Sequence, residues 1–401
     1  MSSTEIFGPR RPRAHVQTHL FQLDRPAFWA FMILLLFGGL FTLAEQIQFY
    51  AFSPLGLGLS WTLMLAYGVP VFLLVYLLDL YEREPLTLLA GALLWGAIAA
   101  TTMSGFGNAG WGLAISEVVS PGTAGRWVPA LTAPWVEEIL KGAGVVFIYL
   151  IAPREIRGLM DGFVYGAMVG LGFTLVEDVF YFIAGFGGTV EGILTGFYGR
   201  VVASGLYGHV LYTGLVGMGI AYFTTRKEAV SMPRRWGVAG ALFLTAMLAH
   251  FLWNSPLLDL FPELPWEGRD WLAVLAAAAV KGVPLLIVAI LMVGLARRRE
   301  QRWIAEALAT EIGRPGLRER ELPPLMSRAG RRRARREARS RGGRAAARAV
   351  AKLQREQITL AMIAARVGNP RHFALVQQHE DCARLRARVD RLADREPQPA
   401  G

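Results

Sequence analysis

The sequence is poor in charge and has almost no cysteine. Only 18% of its 401 residues are charged and 53% are hydrophobic, whereas an ordinary soluble domain carries about 25% charged residues. This scarcity of polar residues argues against a soluble globular protein and favours one that is solvated by lipid. Cys382 is the single cysteine. An intramolecular disulfide framework and a multi-cysteine zinc site are therefore excluded.

Several catalytic and nucleotide-binding signatures are also missing from the chain. It has no His-Glu-x-x-His zinc helix and no Gly-x-Ser-x-Gly nucleophile elbow. It has no Gly-rich phosphate loop of the Walker type, which argues against an ATP-driven pump. Adjacent apolar segments also carry no pair of aspartates of the kind that aspartyl intramembrane proteases use.

Charge and apolar residues are distributed unevenly along the chain. Residues 297–401 hold 26 Lys and Arg against 12 Asp and Glu, and nearly all the apolar mass precedes them. We therefore predict a basic cytoplasmic leader (1–26), a membrane-embedded domain (27–296) and an Arg/Ala-rich, helical cytoplasmic tail (297–401). Within the tail, Gly342-Gly343 predicts a helix break, and the basic run 331–341 predicts a linker or loop.

Eight apolar runs approach the length of about 20 residues that a helix needs to cross a bilayer. They lie at about 27–46, 59–80, 86–107, 127–151, 160–187, 198–224, 234–254 and 270–296. The prediction is an all-α fold, a polytopic membrane bundle of about eight transmembrane helices. Basic residues flank the first and last runs, so the positive-inside rule places both termini in the cytoplasm of a multi-pass cell-membrane protein.

Charged residues inside these runs mark candidate functional positions, because each costs at least about 2.5–3.5 kcal/mol at a helix centre. The fourth run contains Glu137, Glu138 and Lys141. Glu137 and Lys141 are spaced i,i+4 and share a helix face, while Glu138 points elsewhere and needs another partner. The fifth run carries Glu177 nearly in line with a stripe of three glycines, which predicts that Glu177 faces another helix.

Two histidines lie in the sixth and seventh runs. They are His209 and His250, and Asn254 follows His250 by about one turn. At 1.5 Å per residue, the histidines and the glutamates fall in the outer half of the bilayer, which predicts a shared site. The alternative is that these histidines are structural, because about half of all lone histidines in membrane helices only form hydrogen bonds between helices. Lys281 in the eighth run has no assigned role and could be a counter-ion.

Carboxylates and two imidazoles in a wet pocket suit hydrolysis by either of two routes. In the first, His209, His250 and one carboxylate, for which we take Glu177, hold Zn²⁺ with a position open for water. A second glutamate then accepts the proton of that water. In the second route no metal is used: a glutamate and a histidine activate water, and the other histidine and Asn254 stabilise the oxyanion. The residues alone leave both routes open.

Two other classes of function compete with hydrolysis. A proton-coupled transporter would use buried Glu and His as a relay, although the broken helix pairs of many transporters are not evident. A catalytically silent scaffold would bind partners through its tail. The basic tail also suits anionic lipid, at about 1 kcal/mol per Lys or Arg near the surface. No nucleic-acid partner is expected, because aromatic residues are sparse there and no recognition motif occurs.

The polar residues follow one another in a recognisable order. The motifs are Glu137-Glu138-x-x-Lys141, Glu177-Asp178, His209 and His250-x-x-x-Asn254. Over about residues 127–256 this set resembles the PrsW family of intramembrane proteases. It is also similar, more distantly, to CAAX-type prenyl-protein membrane proteases. One departure is Asp178, where the PrsW family commonly has Asn.

The resemblance implies a peptidase, filed among the metallopeptidases, that cuts membrane-anchored proteins within or beside the bilayer. It further implies a link to regulated proteolysis of anti-sigma factors. Glu137 and Glu138 would act on water, His209 and His250 would bind metal or assist the base, and Asn254 would polarise the carbonyl.

Overall fold

The computed structural model describes residues 19–78, 84–202, 207–227, 229–256, 270–367 and 373–393. These residues form α-helices joined by short π-helical, 3₁₀ and irregular segments, and they contain no β-strand. The all-α prediction is therefore confirmed. The described residues divide into two compact units, one formed by those within residues 19–296 and the other by those within residues 297–393.

The helices of the first unit follow one another along the chain with short connections. They are α1 (Pro26–Phe52), α2 (Pro54–Leu78), α3 (Leu86–Leu94), α4 (Thr101–Ser116), α5 (Pro121–Ile151), α6 (Leu159–Phe180), α7 (Val190–Phe197), α8 (Gly208–Thr225), α9 (Met232–Asn254) and α10 (Asp270–Ala309), which continues past residue 296. Three π-helical segments extend or join them: Trp95–Ala100, Tyr181–Gly185 and Tyr198–Val202.

Six helical stretches of the described residues are long and apolar enough to cross a membrane. They are Pro26–Phe52, Pro54–Leu78, Leu86–Ser116, Leu159–Gly185, Met232–Asn254 and Ala279–Ala309. The protein is thus a polytopic helical membrane bundle, as predicted. The predicted runs 127–151 and 198–224 correspond to α5 and α8, which are not among the six. Because neither α5 nor α8 is among the helices that are both long and apolar enough, the count of eight stays a prediction.

Local sequence signals set the beginnings of several helices. Pro26 occupies the first position of α1, where its missing N–H costs nothing. Ser120 precedes α5, and its hydroxyl accepts the N–H of Thr123. At the start of α6, the carboxylate of Asp161 accepts the N–H of Gly158 at 3.0 Å. Residues close in sequence therefore fix where α5 and α6 begin.

Helix α6 is the central helix of the first unit and contacts α8 at backbone distance. Its glycine stripe, Gly162, Gly166 and Gly170, lies against α8. A Cβ atom on Gly166 would collide with the carbonyl oxygen of Thr213, and one on Gly170 with that of His209. The predicted role of the stripe is thus present in the structure, and it fixes the position of His209 relative to α6.

The second unit contains the helical tail, which has an apolar core of its own. After α10 come a 3₁₀ turn (Glu319–Glu321) and three helices, α11 (Leu322–Leu325), α12 (Arg328–Val367) and α13 (Phe373–Ala393). Ile304, Leu308 and Leu360 are among its fully buried residues. Burial raises the pKa of the Cys382 thiol to about 12, so this thiol is protonated at neutral pH.

The prediction of a linker or loop over residues 331–341 is wrong, because this run belongs to α12. Two of its arginines find partners: Arg331 donates to the carbonyl of Leu325, and Arg335 donates to the side chain of Gln354. These contacts anchor one side of a helix whose other side is exposed. The predicted break at Gly342-Gly343 is present, as both glycines leave helical geometry there.

Candidate active site

Six of the predicted site residues converge where α5, α6, α8 and α9 meet. They are Glu137, Glu138 and Lys141 on α5, Glu177 on α6, His209 on α8 and His250 on α9. Helix α8 is held against α6 by the glycine stripe, and α9 packs on both α5 and α8. The fold therefore brings distant residues into hydrogen-bonding contact, and Glu138 and His250, which form one such pair, are 112 residues apart in the sequence.

The ammonium group of Lys141 lies inside this cluster and has no exposed surface. Its Nζ atom is 2.6 Å from Glu138 Oε1, 2.8 Å from His209 Nδ1 and 3.4 Å from Glu137 Oε2. A lysine ammonium has three N–H donors, and three acceptors surround this one. The predicted pairing of Lys141 with Glu137 is thus present, and Glu138 shares the same lysine.

Glu138 is fully buried, and both of its carboxylate oxygens are engaged. Oε2 accepts a hydrogen bond of 3.1 Å from the hydroxyl of Thr213 on α8. Oε1 contacts Lys141 and also lies 3.1 Å from Nδ1 of His250. The sequence did not show which residues pair with Glu138. In the structure its partners come from three helices, α5, α8 and α9.

The contacts of His250 define which of its ring nitrogens is free. Because a carboxylate only accepts hydrogen bonds, Nδ1 carries the hydrogen that is donated to Glu138. The lone pair then lies on Nε2, which is 3.8 Å from Glu137 Oε2. The ring of Tyr212 stacks on the imidazole with centroids 4.9 Å apart and holds its plane.

His209 has the opposite arrangement. Its Nε2 lies 3.1 Å from Glu177 Oε2 and donates to it, while Nδ1 accepts from Lys141. Glu137 Oε2 is 4.0 Å from the same Nδ1. Each histidine therefore donates to one buried carboxylate and turns its other nitrogen toward Glu137.

Arg200 holds the carboxylate of Glu177 in place. It lies in the π-helical segment Tyr198–Val202, and its Nη2 donates to Glu177 at 2.8 Å. Its Nε donates to Asp178 at 2.6 Å. The guanidinium lies over the ring of Tyr181, 3.7 Å from the centroid. Sequence reasoning did not select Arg200, although an arginine inside a predicted span was a usable signal.

Asn254 is the last residue of α9, and Lys281 of α10 contacts this end of α9. The side-chain amide of Asn254 donates to the carbonyl of Pro129 on α5 at 3.4 Å, so its predicted part in polarising a substrate carbonyl stays a prediction. Lys281 donates to the carbonyls of Trp253 and Ser255 at 3.1 and 3.2 Å. Lys281 thus binds the carboxyl end of α9, where helix carbonyls lack partners.

Helix α4 contributes a side chain that the sequence argument did not include. Asn108 donates through Nδ2 to Glu137 Oε1 at 3.1 Å. Its own Oδ1, and the hydroxyl of Ser104 one turn earlier, are buried without a hydrogen-bond partner among the described residues. An asparagine within an apolar helix is itself a signal that could have identified this residue.

Three donor atoms are close enough together to hold a metal ion. Glu137, His209 and His250 each offer one atom, and these atoms lie within 4.8 Å of one another. Tetrahedral Zn²⁺ with bonds of about 2.0–2.2 Å requires ligand atoms about 3.3–3.6 Å apart. The carboxylate in this trio is Glu137, whereas the sequence led us to predict Glu177 as the carboxylate ligand of the metal. Glu177 lies instead against the far nitrogen of His209.

The charges of the cluster also fit a divalent cation. Among the residues that the structure describes, the four carboxylates Glu137, Glu138, Glu177 and Asp178 pair with two permanent cations, Lys141 and Arg200. Uncompensated buried charge is expensive, and a divalent cation would balance it. Carboxylates that orient the outer nitrogens of two histidines are also the usual surroundings of a metal site. The donor set and its surroundings therefore fit Zn²⁺.

A small cavity of about 40 Å³ lies beside His209, and Asp178, Arg200 and Tyr212 contribute to its wall. A cavity needs only about 10–15 Å³ to accommodate one water molecule. The space next to the imidazole thus suits water and is too small for a peptide segment.

Comparison with known proteins gives a family and one curated relative. The model of the PrsW family of intramembrane metalloproteases matches residues 84–297. "Protease PrsW" from Geobacillus kaustophilus (strain HTA426) is 31% identical over 117 residues, which are 29% of this chain and 49% of that protein. The chain thus spans about half the length of the curated relative that it matches. No solved structure matches.

Proposed function

This chain belongs to the PrsW family of intramembrane proteases, and from that premise we propose that it hydrolyses peptide bonds of membrane-anchored proteins at the cluster around Glu137. The observation that supports this site is the convergence of Glu137, His209 and His250 from three helices. The transporter alternative is not favoured, since the family is one of proteases.

Glu137 is the proposed acceptor of the proton from the attacking water. Both oxygens of Glu138 are already bound by Thr213, Lys141 and His250. Glu137 Oε2 has the longer contact with Lys141 at 3.4 Å, and it faces the nitrogen of each histidine that does not donate to a carboxylate. A water molecule among these three donors could transfer its proton to Glu137 and attack a carbonyl carbon.

The remaining residues hold this arrangement in place. Glu138 orients His250, and Glu177, itself held by Arg200, orients His209. If a metal is bound, Glu137 would instead be a ligand together with His209 and His250, and Zn²⁺ there would lower the pKa of water and polarise the substrate carbonyl. Asn108 fixes the rotamer of Glu137 through its other oxygen.

We further propose a substrate class, an orientation and a lipid contact. The family resemblance supports anti-sigma factors as substrates and regulated proteolysis as the context. The distribution of basic residues supports cytoplasmic termini. Exposed arginines of α12 support contact of the tail with anionic lipid; they are Arg332, Arg333, Arg336, Arg339, Arg341, Arg344 and Arg348.

Cleavage of a membrane-anchored reporter by the purified, reconstituted protein tests the proposed activity. Glu137→Gln should abolish cleavage, because it removes the proton acceptor and changes little else in size. Glu117→Gln is the matched control, since Glu117 is exposed at the end of α4, and it should cleave at the unchanged rate. Cleavage by Glu137→Gln at the rate of the control would refute the proposed site.

A further inference from the structure

The ammonium of Lys141 lies against two of the three residues that would hold the proposed metal. Its Nζ atom is within 2.8 Å of His209 Nδ1 and 3.4 Å of Glu137 Oε2, two of the three donor atoms of the trio. The ammonium is fully buried and lies 4.2 Å from the centroid of the Phe173 ring. Water therefore does not separate this cation from the donors.

The hydrogen bond to His209 decides what else that histidine can bind. Its Nε2 hydrogen is directed at Glu177, so the ring has a single lone pair, on Nδ1. The ammonium of Lys141 uses that lone pair at 2.8 Å. A metal ion coordinated by Nδ1 needs the same lone pair, so the two cations cannot use it at once.

We propose that Lys141 is a tethered cation that competes with metal for the Glu137–His209–His250 trio, so that the Lys141–His209 hydrogen bond and metal binding exclude each other. This inference rests on the metal part of the proposed function and adds the regulation of the same site. It follows that the native lysine lowers the metal affinity of the trio and makes the metal exchangeable.

A displaced ammonium would still have an acceptor within the cluster. Glu138 Oε1, at 2.6 Å from Nζ, is the nearest acceptor of Lys141, and it is not a member of the donor trio. Lys141 can therefore give up His209 while it keeps its ion pair with Glu138. The cost of exchanging the two cations is reduced by that retained contact, because neither Lys141 nor Glu138 is left unpaired.

The test measures Zn²⁺ affinity of the purified full chain in detergent by competition with a chromophoric chelator. Lys141→Met removes the competing cation and should raise the affinity by about tenfold or more, in the range that neighbours of metal ligands control. Lys281→Met is the matched control. It removes another membrane lysine, whose partners are backbone carbonyls, and it should leave the affinity unchanged.

Two further variants separate competition from other effects. Adding His209→Ala to Lys141→Met should cancel the gain, because the contested lone pair is gone. Arg200→Gln removes a charge from the same cluster without touching the trio, so a pure charge effect would give it the same gain as Lys141→Met. If the Lys141→Met protein does not fold, the Lys141→Gln protein is measured in its place, because glutamine keeps a hydrogen-bond donor for Glu138.

The visible absorption of bound Co²⁺ reports coordination directly. The spectrum should become tetrahedral at lower Co²⁺ concentration in Lys141→Met than in the native protein. Equal metal affinities of these two proteins, or no binding by either, would overturn the inference. Because no readout requires cleavage, a shifted affinity without reporter cleavage would refute only the proposed protease activity. Cleavage with unshifted affinity would refute only the competition.

Discussion

At the scale of single residues, the chemistry depends on which oxygen and which nitrogen each neighbour engages. Glu137 and Glu138 are adjacent in sequence, yet the structure gives them different surroundings. Glu138 is bound on both oxygens by close partners, whereas Glu137 has one oxygen directed at the nitrogens of His209 and His250 that do not donate to a carboxylate. Two identical side chains therefore have different surroundings, on which the proposed structural role of Glu138 and the proposed catalytic role of Glu137 rest.

Replacement of Thr213 by valine tests the structural role of Glu138. Thr213→Val keeps the shape but removes the hydroxyl that donates to Oε2, and loss of this donor to a buried oxygen costs about 1–3 kcal/mol. We expect a lower thermal midpoint and cleavage reduced by about tenfold. Thr245→Val is the control, because that hydroxyl bonds only to its own helix at Ala241. Equal effects of both variants would contradict this role.

Apart from Asn254, the residues that the sequence identified share one property: they are ionisable groups in apolar helices, which are rare without a function. Thr213, Tyr212 and Asn108 were not identified as site residues, because hydroxyls, aromatic rings and single amides are common in membrane helices for packing alone. The sequence could also not show which carboxylate joins the two histidines in the trio. The choice between Glu137 and Glu177 depends on helix rotation and on the pairing of Glu177 with Arg200.

At the scale of helices, the site depends on how closely α6 and α8 pack. Glycine spacing in the sequence predicted such an approach for α6, and the structure brings the stripe against the backbone of Thr213 and His209. Which helix would fill the groove could not be predicted, because every neighbouring run was apolar. Helix α4, which carries Asn108, was predicted only in part, since the apolar run seemed to end at residue 107 while the helix continues to Ser116.

Gly170→Ala tests the dependence of the site on this packing. A Cβ atom at Gly170 would collide with the carbonyl oxygen of His209, so α8 must shift, and a shift of about 1 Å can cost about 10²-fold in rate. Gly240→Ala on α9 is the control. Nothing lies within 4 Å of its Cβ position, and alanine there should stabilise the helix by about 0.8–1.0 kcal/mol. Reporter cleavage and thermal unfolding distinguish the two, and unchanged cleavage by Gly170→Ala would contradict the account.

At the scale of the whole molecule, the chain combines a membrane bundle with a basic, helical tail. Composition alone predicts a division near residue 296, because charge and apolar residues barely overlap along the sequence, and these domain bounds stay a prediction. It could not predict that residues 331–341 are helical, since arginine favours helices and solvated loops alike. Buried contacts of Arg331 and Arg335 decide between them.

Limited trypsin digestion in nanodiscs tests the proposed lipid contact of the tail. Trypsin cuts after arginine, and the exposed arginines of residues 332–348 are ready targets. We expect slower cleavage there in anionic phosphatidylglycerol nanodiscs than in zwitterionic ones. Salt should abolish the difference, because it screens charges over about 8–10 Å at physiological strength. Equal digestion in both lipids at low salt would exclude the contact.

The central claim is that Glu137, His209 and His250 act as one catalytic unit, and single-turnover cleavage by a double variant tests it most directly. If the residues form one centre, the Glu137→Gln/His209→Ala protein should be no slower than the slower single variant, since removal of either residue already disables the unit. If the effects of the two substitutions multiply, or if either single variant cleaves at the native rate, the residues act separately and the account is wrong.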